Sequence, residues 1–190
     1  SYSAAISACA QGSQWQAALG FLAAMSAVRV EADIFSYNAA TSACEKAADW
    51  RLALGLLVMA PCAGLQSGAM SCNAVISACK KADHWRLALA LLAQMPRAGL
   101  EPDAISCNSA ISACEKSAHW RLALHLWAQM LHARVEPNAL TYNAAIRTCE
   151  RSARWRLALG LLAQMQRAGL EPDNVGCSAA FGACEKATQR

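Results

Sequence analysis

The sequence predicts an all-α solenoid of stacked helix hairpins, and three observations predict it. Trp15, Trp50, Trp85, Trp120 and Trp155 recur every 35 residues. Cys9, Cys44, Cys79, Cys114, Cys149 and Cys184 keep the same 35-residue step. Each repeat also carries two stretches with apolar residues at helical spacing, closed by glycine, by proline or by both in four of the five copies. A fixed period of roughly 20–50 residues marks a stacked-repeat architecture, because one hairpin alone cannot bury its apolar face.

Composition agrees. The 190 residues are 56% hydrophobic and 6% aromatic, enough to fill a core and unlike a disordered segment. A net charge of +4 permits a polyanionic partner without demanding one. The longest apolar run, Leu52 to Leu65, is broken by Pro61. It falls short of the roughly 20 residues a membrane span needs, so no membrane association is expected. The ten cysteines contain no CxxC pair: six share one repeat position, Cys72, Cys107 and Cys177 share another, and Cys62 stands alone. Equivalent helices of stacked hairpins lie roughly 8–10 Å apart, beyond the reach of about 7 Å that a disulfide tolerates. The cysteines therefore read as small core residues, which points weakly to a reducing compartment. The chain opens partway into a repeat at Ser1 and stops halfway through one at Arg190. A piece of a longer protein is expected, with any targeting peptide upstream.

The repeat from Ala69 to Asp103 shows each element in turn. Cys72, Val75, Ile76 and Cys79 form an i, i+3, i+4, i+7 face, so a first helix is predicted, with Ser71 as its N-cap. Corresponding faces are Tyr2, Ala5, Ile6, Cys9 and Tyr142, Ala145, Ile146, Cys149, where small residues let a neighbouring helix approach. A short polar turn, Lys81 to His84, leads to an antiparallel second helix. That helix carries Trp85, Ala88, Leu89, Leu92 and Met95, flanked by Leu87 and Leu91. So wide a stripe implies burial on more than one side. Gly99 supplies a left-handed stop with Leu100 behind it, and Pro102 prevents continuation. Gly64 and Gly169 do the same in their copies, whereas Arg29 and Arg134 replace the glycine and should weaken the stop.

The copies are a partial repeat over 1–33, full repeats 34–68, 69–103, 104–138 and 139–173, and a lone first helix over 174–190. They are expected to form one array without separate domains. Repeat 34–68 is the degenerate one, with Met59 one place early and Ser67-Gly68 in place of Pro-Asp.

The polar side of the first helix is the informative one. It reads Asn38, Ser42, Lys46; Asn73, Ser77, Lys81; Asn108, Ser112, Lys116; Asn143, Arg147, Arg151, each an i, i+4, i+8 series. Asn costs roughly several tenths of a kcal/mol against Ala inside a helix, so its recurrence asks for a reason. An amide offers donors and acceptors suited to a base edge, and a cation two turns on suits a phosphate. The bland alternative is that Asn near a helix start satisfies backbone groups locally.

SCNAVISACKK, LALALLAQM and GLEPD together resemble the pentatricopeptide repeat, a 35-residue helix hairpin, over essentially the whole chain. The resemblance implies a right-handed α-solenoid of stacked helix-turn-helix repeats that binds single-stranded RNA, one base per repeat. It implies reader pairs Ser3 with Asp33, Asn38 with Gly68, Asn73 with Asp103, Asn108 with Asn138, and Asn143 with Asp173, with Ser178 opening the next. Gly68 departs from the pattern and should read poorly. Base-sandwiching positions would be Phe35, Met70, Ile105, Leu140 and Val175, all apolar. Phosphate contacts would fall to Lys46, Lys81, Lys116, Arg151 and Lys186. Organellar RNA processing, stabilisation or editing in mitochondrion or chloroplast, with RNA-processing proteins as further partners, is the implied setting.

Other features read as scaffold. The five Trp residues are assigned to the packed core, and Arg51, Arg86, Arg121 and Arg156 after them to solvent-facing surface. His84, His119, His125 and His132 share no i, i+4 pair, so no metal site is expected. Glu45, Glu115, Glu150 and Glu185 sit beside Lys or Arg as solvated charge pairs. No nucleophile, base and orienting group converge, so neither an enzyme, a cofactor nor a small-molecule substrate is expected. A protein-binding helical-repeat scaffold is the alternative, because tetratricopeptide grooves also use repeated Asn and Lys. The Asp or Asn ending each repeat weighs against it, having no obvious role in a peptide groove. A fragment of an enzyme whose catalytic domain lies elsewhere is the third possibility.

Overall fold

The computed structural model describes residues 1–28, 30–65 and 68–188. Arg29, Ser67 and Arg190, named above, lie outside them. Two compact units emerge, 1–101 and 102–190, and each is taken by itself.

The first unit contains α1 (Tyr2–Gln11), α2 (Trp15–Ala27), α3 (Ile34–Lys46), α4 (Trp50–Cys62), α5 (Ala69–Lys81) and α6 (Trp85–Gln94). The second contains α7 (Ala104–Lys116), α8 (Trp120–His132), α9 (Ala139–Arg151), α10 (Trp155–Arg167) and α11 (Asn174–Thr188). The all-α helical-repeat solenoid expected from the period is the fold of each. Within each unit the first helices form a layer: α1, α3 and α5 pack successively in one, α7, α9 and α11 in the other. Each of α2, α4, α8 and α10 packs on its own first helix and also on the next one. That double contact explains the wide apolar stripe.

The core is built from small and branched side chains in columns. Ala18, Ala53, Ala88, Ala123 and Ala158 are fully buried, as are Ile6, Ile76, Ile111 and Ile146. Met25, Met95, Met130 and Met165 close the bottom of each hairpin. In repeat 34–68 the early methionine has a visible consequence: Ala60 takes the buried place and Met59 is exposed. Cys44, Cys79, Cys114 and Cys149 have no exposed surface, and all ten cysteines are free thiols. Burial pushes those four thiols up to about 11, so they pack as small apolar groups.

Helix ends follow local chemistry. Gly64, Gly99 and Gly169 adopt φ of 74°, 72° and 74°, the left-handed stop predicted for them. Arg134 adopts φ 56° without the benefit of glycine. The turns inside the hairpins hold a second left-handed position that sequence patterns did not disclose: Ser13, Ala48, Asp83, Ala118 and Ala153, φ 53–63°. The following N–H in each case closes onto the carbonyl of a repeating cysteine, as in Asp49 to Cys44 at 3.0 Å and His84 to Cys79 at 2.8 Å. The second helix of repeat 69–103 also ends early, at Gln94. Pro96 has no N–H to continue the ladder, and a 3-10 turn, Pro96–Ala98, follows.

Two assignments are corrected. Ser71 is not the N-cap of α5; Gly68 holds that place, and Ser71 lies inside the first turn with its hydroxyl turned toward Asn38. The tryptophans are not deep core. Trp15, Trp50, Trp85 and Trp120 are half-buried and Trp155 is exposed, because each starts a second helix at the rim of the stack. Arg51, Arg86, Arg121 and Arg156 are exposed as expected, yet each guanidinium lies 5.0–5.1 Å from the ring of the preceding Trp.

Candidate nucleic-acid interface

The site lies on the first helices. A side chain at i and one at i+3 share a helix face. Phe35 and Asn38 are so related on α3, Met70 and Asn73 on α5, Ile105 and Asn108 on α7, and Leu140 and Asn143 on α9. The apolar member is exposed every time: Phe35 75%, Met70 70%, Ile105 62%, Leu140 69%, and Val175 48% on α11. Five large apolar residues left in water at one repeat position leave their hydrophobic free energy unused, about 1.5–3 kcal/mol each when fully buried. A recurring apolar row of this kind is what a ligand-binding face requires.

The Asp or Asn that ends a repeat is a helix cap, and in two repeats it also bonds the preceding Asn. Its side chain caps the next first helix: Asp33 accepts from the Ser36 N–H at 2.8 Å, Asp103 from Ser106 at 2.8 Å, Asn138 from Thr141 at 3.1 Å and Asp173 from Gly176 at 2.8 Å. Capping accounts for the recurrence of Asp and Asn here without any ligand, so that recurrence no longer separates an RNA reader from a protein scaffold. Two of these side chains, Asn138 and Asp173, also reach the preceding Asn. Asn108 Nδ2 donates to Asn138 Oδ1 at 3.1 Å, and Asn143 Nδ2 donates to Asp173 Oδ2 at 2.9 Å.

Two of the expected reader pairs are thus joined directly. Asn38 is matched with Gly68, which has no side chain, and its Oδ1 instead accepts from the Ser71 hydroxyl. Ser3 makes no side-chain hydrogen bond among the described residues, and Asp33 engages Ser36. Asn73 and Asp103 belong to different units: Asn73 is buried on α5 and Asp103 is the N-cap of α7. Ser178 is exposed on α11.

The bonding sets the charge of these carboxylates. The Ser36 hydroxyl and N–H hold the Asp33 carboxyl below the usual range. The Gly176 N–H, helped by the Asn143 amide, does the same for Asp173.

The cations placed for phosphate contact are occupied. Lys46 Nζ donates to the Ala10 carbonyl at 2.7 Å, at the C-terminal end of α1. Lys81 Nζ lies 2.9 Å from Glu45 Oε1, Arg151 Nε 3.5 Å from Glu115 Oε1, and Lys186 Nζ 2.7 Å from Glu150 Oε1. Arg147 joins Glu115 at 2.9 Å. The glutamates therefore pair with a cation of the following repeat rather than with the Lys or Arg beside them. Lys116 is exposed at the end of α7.

The sequence did not disclose one partner of the amide row. It is the hydroxyl of the third residue of the next first helix, which donates from Ser71 to Asn38 and from Thr141 to Asn108. Its signal was present as a 35-residue column of Ser36, Ser71, Ser106 and Thr141, broken at Gly176. Among the described residues no group of three His, Cys, Asp or Glu side chains is placed to hold a metal, and no helix is long and apolar enough to cross a membrane.

These features define an all-α helical-repeat protein whose first helices carry an exposed apolar residue one turn from an amide. The PPR repeat family model matches residues 68–116 and 102–151, and the PPR repeat model matches 140–170. The chain belongs to the pentatricopeptide repeat family. No curated protein matches the sequence significantly. Among solved structures it is similar to the pentatricopeptide repeat protein PPR10 of maize, in complex with an 18-nucleotide psaJ RNA element: 23% identity and TM-score 0.77, covering 96% of this chain and 27% of that one. It is also similar to the PPR domain of Arabidopsis thaliana protein-only RNase P 1 in complex with tRNA, at 13% identity and TM-score 0.80, covering 97% of this chain and 95% of that one. A third is nuclear proteinaceous RNase P 2 of A. thaliana, at 16% identity and TM-score 0.68, covering 81% and 35%. This chain spans at most 32% of the PPR10 chain.

Proposed function

We propose that this chain is a single-stranded RNA-binding module that reads one base per repeat, and that repeats 1–33 to 174–190 act as one array. The observation that carries the reading is the exposed apolar row one turn from a row of amides, two of which are bonded to the Asp or Asn ending their repeat. An apolar side chain supplies a stacking surface and an amide–carboxamide pair supplies directional donors and acceptors. The RNA-bound structures of PPR10 and of the RNase P 1 PPR domain support the class of ligand.

By the family's base preferences, Ser3 with Asp33 takes G, Asn73 with Asp103 takes U, Asn108 with Asn138 takes C over U, and Asn143 with Asp173 takes U. The target over residues 1–173 is 5′-G-N-U-C/U-U-3′, with the N-terminus at the 5′ end. Lys46, Lys81, Lys116, Arg151 and Lys186 serve the backbone, those held in ion pairs by exchanging a glutamate for a phosphate. The setting is processing, stabilisation or editing of transcripts in a mitochondrion or chloroplast, with catalysis left to partners. Selection from a randomised RNA pool tests this: enrichment is expected at the third and fifth positions, and Asn73→Thr should move the third from U toward G. No enrichment at either position refutes the reading and favours a protein-binding scaffold.

A further inference from the structure

The amide of Asn108 sits in a closed hydrogen-bond circuit whose polarity starts from the backbone. The Thr141 N–H, fixed by α9, donates to Asn138 Oδ1 at 3.1 Å. That oxygen therefore meets Asn108 as an acceptor and takes the Nδ2 donor at 3.1 Å. Asn108 Oδ1 must then turn the other way, where the Thr141 hydroxyl donates to it. The hydroxyl itself accepts from the Asn138 N–H at 3.0 Å, and its proton has Asn108 Oδ1 in closest reach, with Asn138 Oδ1 farther off at 3.1 Å. The Nδ2 end of the Asn108 amide is thus assigned by an oxygen already committed as an acceptor, and its Oδ1 end by a hydroxyl donor. At Asn38 the Ser71 hydroxyl donates to Oδ1 in the same way.

Asn143 lacks half of this circuit. Its Nδ2 reaches Asp173, but position 176 is glycine, and no hydroxyl is there to donate. Asn143 Oδ1 is buried without a hydrogen-bond partner among the described residues, on a residue only 7% exposed. It occupies the room the missing side chain would use: a Cβ placed on Gly176 would stand 2.6 Å from that oxygen.

We propose that the hydroxyl at the third position of the following first helix is a positioning residue for base reading. It holds the carbonyl end of the preceding Asn at a fixed height and leaves the remaining Nδ2 proton for the base. Thr141 and Ser71 perform this task for Asn108 and Asn38. Gly176 fails to, so Asn143 sinks into the gap and its repeat discriminates between bases more weakly than the repeat of Asn108. The inference rests on Asn108 and Asn143 being base readers.

The test uses the full chain and single-stranded RNAs of the proposed target, varied to all four bases opposite Asn143 or Asn108. The readout is the affinity ratio between preferred and other bases at that one position, which a general loss of fold does not change. Gly176→Ser should raise the ratio opposite Asn143 by about threefold or more, the worth of one well-made hydrogen bond. Thr141→Val, which keeps shape and removes the hydroxyl, should lower the ratio opposite Asn108 by a similar factor, and Thr141→Ser should restore it. Without RNA, the Asn143 side-chain amide protons should become more protected from exchange in Gly176→Ser. If the wild-type chain selects bases but neither Gly176→Ser nor Thr141→Val changes its local ratio, the positioning role is overturned and RNA reading stands. If no position shows base selection, the RNA reading falls and the positioning role falls with it.

Discussion

Asn138→Ala removes a helix cap and half of a reader pair in one step, and the structure allows the two losses to be separated. The side chain caps α9 through the Thr141 N–H at 3.1 Å, within a reciprocal capping box completed by the Thr141 hydroxyl. Loss of such a cap costs about 1 kcal/mol, within roughly 0.5–2. The bond to Asn108 is solvent-exposed and adds about 0.5 kcal/mol at most. For a chain of this length each kcal/mol moves the midpoint by roughly 2–4 °C, so Asn138→Ala should lower Tm by roughly 3–6 °C. Asn138→Asp is the control. Asp caps as well as Asn and can accept from the Asn108 amide as Asp173 accepts from Asn143, so stability should stay within about 0.5 kcal/mol. Its base preference opposite Asn108 should nonetheless move from C to U. Circular-dichroism melts and RNA binding on the three proteins check this. An Asp variant as unstable as the Ala variant, or an Ala variant with unchanged Tm, refutes the dual assignment.

Two further predictions concern charge. Asp33 and Asp173 have carboxyls held below the ordinary value of about 3.9, so the folded state binds fewer protons than the unfolded one. Their contribution is complete above that value and is lost as pH falls through the folded pKa; Asp33→Asn with Asp173→Asn should flatten the fall of Tm in acid, and an unflattened profile would discard the capping argument. Glu115 is 7% exposed while Arg147 and Arg151 keep much of their surface, so Glu115→Gln, which keeps the shape and removes the charge, should cost about 1.5–3 kcal/mol and release both guanidinium groups. RNA affinity should rise and its dependence on log salt should steepen by about 0.7 per new phosphate contact; an unchanged slope would remove Arg151 from the proposed contacts.

The period was legible in the chain because stacking makes every repeat solve one packing problem, and identical problems leave identical residues. Hence the buried columns at Ala88, Cys79 and Met95 and the glycine stops at Gly64, Gly99 and Gly169 could be located without coordinates, whereas Phe35 to Val175 are picked out by the family resemblance and their exposure comes from the structure. The early end of α6 was legible too, in Pro96, but was not read.

What only the tertiary structure decided lies between repeats. A 35-residue column says that Asn, Glu, Ser and Asp recur; it does not say which meets which. Contacts across 30–36 residues join Asn108 to Asn138, Thr141 to Asn108 and Lys81 to Glu45, and those distances are set by how one hairpin leans on the next. Helical periodicity describes faces within one helix and is blind to that lean. The sequence by itself therefore determined the repeat and its buried Ala, Cys and Met columns, and nominated the candidate reader positions. The docking of neighbouring hairpins decided that the terminal Asp and Asn are caps as well as reader candidates, and that the cations are already paired. It also left Asn143 without the hydroxyl that steadies Asn108.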